Sequence, residues 1–243
     1  MWYNVTMKVT RRKLAIGLLA TMVVLLALHL VFRTIEYDNW DLYELAGLFD
    51  MDSEISIATW YSTTILLFVP AAILFYIGWK KRAAHEKFAW SWFLVSAMFL
   101  FLSIDDAAMI HEKLGTINRL VGVQDLLNAI NPGVFAWSWW VIYLPIAIIL
   151  AIILGNWYLS LPRRTKFLIA GAAFLAVAGQ VGMEIVSSYT TLATGEYIGP
   201  VWRGLQKFVG RLGLSMFLFA VVDYYLSYIK PAGDSPKIAA GRR

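Results

Sequence analysis

A chain of 243 residues that is 60% hydrophobic and 15% charged, with a formal net charge of +5 and no cysteine, lies far from the composition of a soluble domain. The missing cysteines exclude disulfides, thiolate metal sites and cysteine nucleophiles. The positive charge would suit a nucleic-acid partner, but it is gathered in alternate loops between apolar runs and therefore reads as membrane topology; nucleic acid is excluded as a partner.

Six apolar runs recur along the chain, near 13–32, 58–79, 88–104, 134–155, 166–188 and 204–229. Each is close to the roughly 20 residues a helix needs to cross a bilayer. The expected fold class is all-α, a polytopic bundle of six transmembrane helices forming one domain over residues 1–229. The first run follows "KVTRRK", which resembles the basic start of a signal peptide. It is too long for a cleaved signal and five more runs follow, so it is expected to remain as an anchor.

Lys8, Arg11, Arg12, Lys13, Lys80, Lys81, Arg82, Lys87, Arg163, Arg164 and Lys166 fall on one side of such a bundle. The opposite side carries only Arg33, Lys113, Arg119 and the basic residues opening the sixth run, together with Glu36, Asp38, Asp41, Glu44, Asp50, Asp52 and Glu54. The positive-inside rule then places both termini in the cytoplasm and the chain in the inner (plasma) membrane. Trp60, Trp137, Trp139, Trp140 and Trp202 mark the outer run ends, and Trp79, Trp90, Trp92 and Trp157 the inner ones, as expected of aromatic belts.

Two outer loops are long, 34–57 and 105–133; the second is expected to prolong the third run as a surface helix and to end at the "NPG" turn. The fifth run places Ala172 and Ala176, and Ala178 and Gly182, four residues apart, a spacing that lets helix backbones approach closely in lipid. That span is therefore expected in the bundle interior, with Gln180 and Glu184 on one face. The terminal "KPAGDSPKIAAGRR", covering 230–243, is expected to be a disordered cytoplasmic tail.

The stretch "FLFLSIDDAAMIHEKLG", residues 99–115, carries the chemistry. On a straight helix, Asp105, His111 and Glu112 share an arc of about 120° centred on Ala108, whereas Asp106 points about 100° away from Asp105. Carboxylates and imidazole are ligands for Zn, Mn or Fe and also perform general acid–base work, so Asp105, His111 and Glu112 form a candidate set for a divalent metal. His29 and Glu184 lie at similar depth and are candidates to complete it; Arg203, Lys207 and Arg211 follow at four-residue steps on the sixth run. The alternative is an internal network in which those cations neutralise Asp105, Glu112 and Glu184. Ligation of haem or a pigment by His29 or His111 is a further alternative.

At these residues the chain resembles a group of uncharacterised bacterial multi-pass membrane proteins whose third span ends in S-x-D-[DE]-x4-H-E, matched by Ser103, Asp105, Asp106, His111 and Glu112. The stretch "FDMDSEISIATWYSTTILLF" is similar to that group's acidic approach to the second span. The resemblance implies a last span opening with glutamates that join the D-D/E…H-E motif in an acidic, metal-like site. This chain instead reads Gln206, Lys207, Gly210 and Arg211 there, which removes ligands and adds repulsion for a cation. The resemblance supplies no activity.

The favoured reading is a non-catalytic accessory or structural subunit of a larger membrane complex, with the bilayer and other membrane subunits as partners. A metal-dependent hydrolase near the outer leaflet and a proton- or ion-coupled transporter are the alternatives. The transporter is disfavoured by inner span halves that are almost wholly apolar apart from Asp223.

Overall fold

The computed structural model describes residues 2–35, 40–135, 139–195 and 199–228. Among them, six helices are long and apolar enough to cross a membrane: Thr10–Arg33, Ile57–Ala83, Ala89–Ala108, Trp139–Ser160, Arg163–Leu192 and Pro200–Tyr228, called the first to sixth spans. No strand occurs among the described residues. The chain is an integral membrane protein of all-α architecture. The described part of the fourth span opens at Trp139, and Val134 and Phe135 lie not in a helix but after a turn at Asn131–Gly133, whose Asn131 Oδ1 accepts from the amides of Gly133 and Val134. The expected tail lies outside the described residues.

The sixth span, not the fifth, is the centre of the bundle. Half of its most apolar window is buried, against 11% for the fifth span. The reason lies in the small residues. A Cβ on Gly179 would overlap the backbone of Gly210, and one on Gly213 would overlap the backbone of Ala172 and Ala176. The small-residue face of the fifth span is thus consumed in a single close seam with the sixth, and its other faces are left to lipid. Trp92 and Trp157, expected at an interfacial belt, are instead buried and meet edge-to-face at 5.2 Å. Trp60, Trp79 and Trp90 keep the exposed positions a belt requires.

Two apolar clusters flank the sixth span. One joins Met22 and Leu25 of the first span to Leu66 of the second and Leu218 of the sixth. The other joins Leu74 and Ile77, Trp92 and Phe99, Leu154 and Trp157 to Phe217 and Tyr224, with Phe99 and Phe217 stacked at 4.1 Å. At the end of the bundle bearing both described termini, buried Asp223 holds Arg11 of the first span at 2.7 Å and Arg164 of the fifth at 3.0 Å. This carboxylate fastens three spans where the sequence showed one isolated charge. The opposite end carries the polar cluster and is called the site end below.

Both the second and the fifth spans contain π-helical segments, Ser62–Phe68 and Ala178–Gly182. The extra residue in each turn displaces backbone pairing, and such bulges recur at functional sites. Here both border the same cavity.

Candidate functional site

The site begins with a break in the chain. Met109 adopts a left-handed conformation (φ 53°), which ends the third span and starts a separate helix, Ile110–Leu120. The straight helix that would aim Asp105, His111 and Glu112 at one point therefore does not form. Asp105 Oδ1 accepts the amide of His111 at 2.7 Å, satisfying one of the free donors that open the new helix, and its Oδ2 lies 3.4 Å from His111 Nδ1. Asp105 stands behind the imidazole and orients it through Nδ1. Asp106 Oδ2 accepts from Ser62 at 2.6 Å and Thr63 at 2.7 Å, binding the third span to the π segment of the second.

The third carboxylate comes from the first long loop. Glu54, His111 and Glu112 each present a ligand atom within 4.8 Å of one another. Glu54 replaces Asp105 in the expected set. Its position follows from the folding of "DMDSEIS": Asp50 Oδ1 accepts the amide of Asp52 at 2.9 Å, the carbonyl of Ser53 accepts from Thr59 Oγ1 at 2.8 Å, and Ser56 Oγ caps the second span by accepting the amide of Thr59.

Two spans clamp that loop. His29, 1% exposed, accepts the amide of Met51 on Nδ1 at 3.0 Å and contacts the carbonyl of Pro200 through Nε2 at 2.8 Å. With both nitrogens engaged and Gly204 pressed against its ring, His29 is a structural connector, not a metal or haem ligand. Arg211 is buried and donates to the carbonyl of Met51 at 2.7 Å and to Thr59 Oγ1 at 2.9 Å. Arg203 pairs with Asp52 at 2.6 Å, and Lys207 lies 3.8 Å from both Asp52 and Glu54. The basic face of the sixth span is thus spent on the loop, not on Asp105, Glu112 and Glu184. Glu184 instead accepts from Gln206 of the sixth span.

The electrostatics follow from these neighbours. Burial pushes the Glu54 carboxyl above the usual carboxylate range; Lys207 opposes this, and the charge of Asp106 adds to it. Burial alone would lower His111, but the hydrogen bond and charge of Asp105 outweigh it and raise the imidazole above its ordinary value.

Two connected spaces meet at these groups. A polar vestibule of about 380 Å³ is bordered by Asp52, Glu112, Arg119, Glu184 and Arg203. A chamber of about 250 Å³ beneath it has walls of Leu67, Leu102, Ala176, Val177, Val181 and Leu214, with Asp105 and Tyr143 beside them. Glu54, His111, Trp139, Gln180 and Lys207 border both. Trp139 meets the His111 ring edge-on at 5.6 Å.

A donor set of one imidazole backed by a carboxylate and two further carboxylates suits Zn, Mn or Fe. The nine residues singled out in the sequence, His29 among them, gather at this end, but in different pairings, and Glu54 was missed. Its only sequence signal was an acidic loop close to the capped start of a span.

No curated protein and no solved structure matches the chain. A family model, that of a domain of unknown function (DUF8692), matches residues 15–222, so the chain belongs to that family.

Proposed function

We propose that this integral membrane protein is a metal-dependent hydrolase working at the outer leaflet. The observation carrying the proposal is the convergence of Glu54, His111 and Glu112 at the point where the polar vestibule meets the apolar chamber. When bound there, a divalent cation would lower the pKa of a coordinated water and polarise the bond to be cleaved. The chain's own groups supply the rest. Asp105 fixes the ring orientation of His111. Glu54 and Glu112 complete the ligand set, and Lys207, 3.8 Å from Glu54, places a positive charge where an oxyanion develops.

The assignment of the site end to the outer face rests on Lys80, Lys81, Arg82, Arg163 and Arg164, which cluster at the opposite end with both described termini. The same asymmetry supports cytoplasmic termini and an inner-membrane location.

A second reading, an accessory subunit, is favoured by apolar side chains exposed on loop helices at the site end, among them Leu120 (80%) and Ile130 (69%). Elemental analysis of protein purified without chelator or affinity metal separates the two. Stoichiometric Zn, Mn or Fe, lost in Glu54→Gln and His111→Ala, is the expected result. Below about 0.2 equivalents, with other membrane subunits co-purifying in mild detergent, the accessory reading takes its place.

A further inference from the structure

The chamber is out of proportion to a purely polar reaction. Its lining is mostly apolar, but Ser62, Asp105, Asp106 and Arg211 border it as well as the groups shared with the vestibule, so an apolar wall faces a charged one, as an amphiphilic guest requires. Two of its wall residues, Val177 and Val181, also border a groove on the outside of the fifth span, together with Ala173, Phe174, Ala178 and Gly182. That face looks into the bilayer, since Val177 is 61% and Phe174 72% exposed. A single layer of two valines one turn apart, at the π segment Ala178–Gly182, is what the groove and the chamber have in common.

The fourth span packs mainly toward the terminal end. Its buried residues, Leu154 and Trp157, both lie toward the terminal end, where Tyr158 also donates to the carbonyl of Lys166 at 3.0 Å. Toward the site end it contributes Trp139 and Tyr143 to the cavity border, whereas Leu144, Ile146, Ile148 and Ile149 are exposed. Pro145 removes one of its backbone hydrogen bonds.

We infer that the chamber receives one acyl chain of a bilayer lipid, admitted sideways between the fourth and fifth spans past Val177 and Val181, so that the lipid's polar group lies at Glu54, His111 and Lys207. A pocket with one apolar and one charged side, separated from the lipid-facing groove only by Val177 and Val181, complements an amphiphile. Placing the reacting group rests on the hydrolase reading; admission of the chain does not.

The test reconstitutes the full chain in nanodiscs containing a phosphatidylcholine with a diazirine in mid-chain, irradiates them and maps the label by mass spectrometry. Label on Leu67, Leu102 or Leu214 is expected. Val177→Trp and Val181→Trp should lower it at least tenfold, and Val181→Ala should raise it. Label confined to Phe174 and other bilayer-facing positions in the unsubstituted protein overturns the inference, as does interior label unchanged in both tryptophan variants. The wild-type map decides even where a tryptophan variant fails to fold. Repeating the map with His111→Ala separates the two proposals. Interior label without bound metal in any form of the protein defeats the hydrolase alone, and bound metal without interior label defeats the lipid chamber alone.

Discussion

Asp105 and His111 are joined twice across the break at Met109, through the His111 amide to Oδ1 at 2.7 Å and through Nδ1 to Oδ2 at 3.4 Å. One carboxylate therefore starts a helix and aims the imidazole that the helix carries. Asp105→Asn keeps an acceptor for the amide but removes the charge behind the ring. Loss of such a supporting carboxylate costs about 10–100-fold in metal affinity. Titration of the purified variant with Zn should show that loss with helix content unchanged; affinity equal to wild type would remove Asp105 from the site.

Arg211 is the strongest stability prediction. Buried, it holds a backbone carbonyl and a threonine hydroxyl from the loop bearing Glu54. Hydrogen bonds to a charged donor contribute about 1.5–3 kcal/mol each, and removing the donor takes one from the Met51 carbonyl and one from the Thr59 hydroxyl. Arg211→Met is expected to cost about 3 kcal/mol, or about 6–12 °C in Tm for a protein of this size. Thermal unfolding in detergent checks it. A shift below about 2 °C would mean the clamp carries little of the stability.

Two glycines separate close packing from mere helix propensity. Gly179→Ala drives a methyl group into the backbone of Gly210, which has no flexible end to give way, and overpacking of this kind costs about 1–3 kcal/mol or more. At Gly155 nothing lies within 4 Å of the added Cβ, so Gly155→Ala should be neutral or stabilise by up to about 1 kcal/mol. Equal destabilisation by both variants would argue against the seam between the fifth and sixth spans.

Acid sensitivity should trace to Asp50. Burial alone would raise its carboxyl, but the His29 contact, the Asp52 amide and Arg33 at 3.1 Å outweigh it and hold it below the usual carboxylate range. The unfolded chain then takes up the proton at higher pH than the folded one. The contribution is full above about pH 4 and disappears as pH falls from there through the folded value. The Tm gap between wild type and Asp50→Asn should be constant from neutrality to about pH 5 and shrink below about pH 4. A gap that widens on acidification would show the opposite sign.

The spans were legible because length and hydropathy alone determine whether a helix can cross lipid, and 60% apolar composition leaves few other solutions. Which span sits at the centre was not. Small residues in the fifth span signal close approach on one face only, and the partner face, Gly210 and Gly213, lies in a span that looks charged. The arc of Asp105, His111 and Glu112 assumed an unbroken helix; methionine seldom adopts positive φ, so Met109 gave no warning. Glu54 lies 57 positions before His111, and only the tertiary clamp of His29 and Arg211 brings them together. Hydropathy periodicity carries no information of that kind.

The clamp also sets a sequence of events during biogenesis. The loop bearing Glu54 is held on one side by His29 of the first span, and on the other by Arg203, Lys207 and Arg211 of the sixth. While the ribosome is still delivering the sixth span, five helices can already be in the membrane with their acids and imidazole unassembled. The loop bearing Glu54 therefore cannot reach its place until the sixth span has joined the bundle.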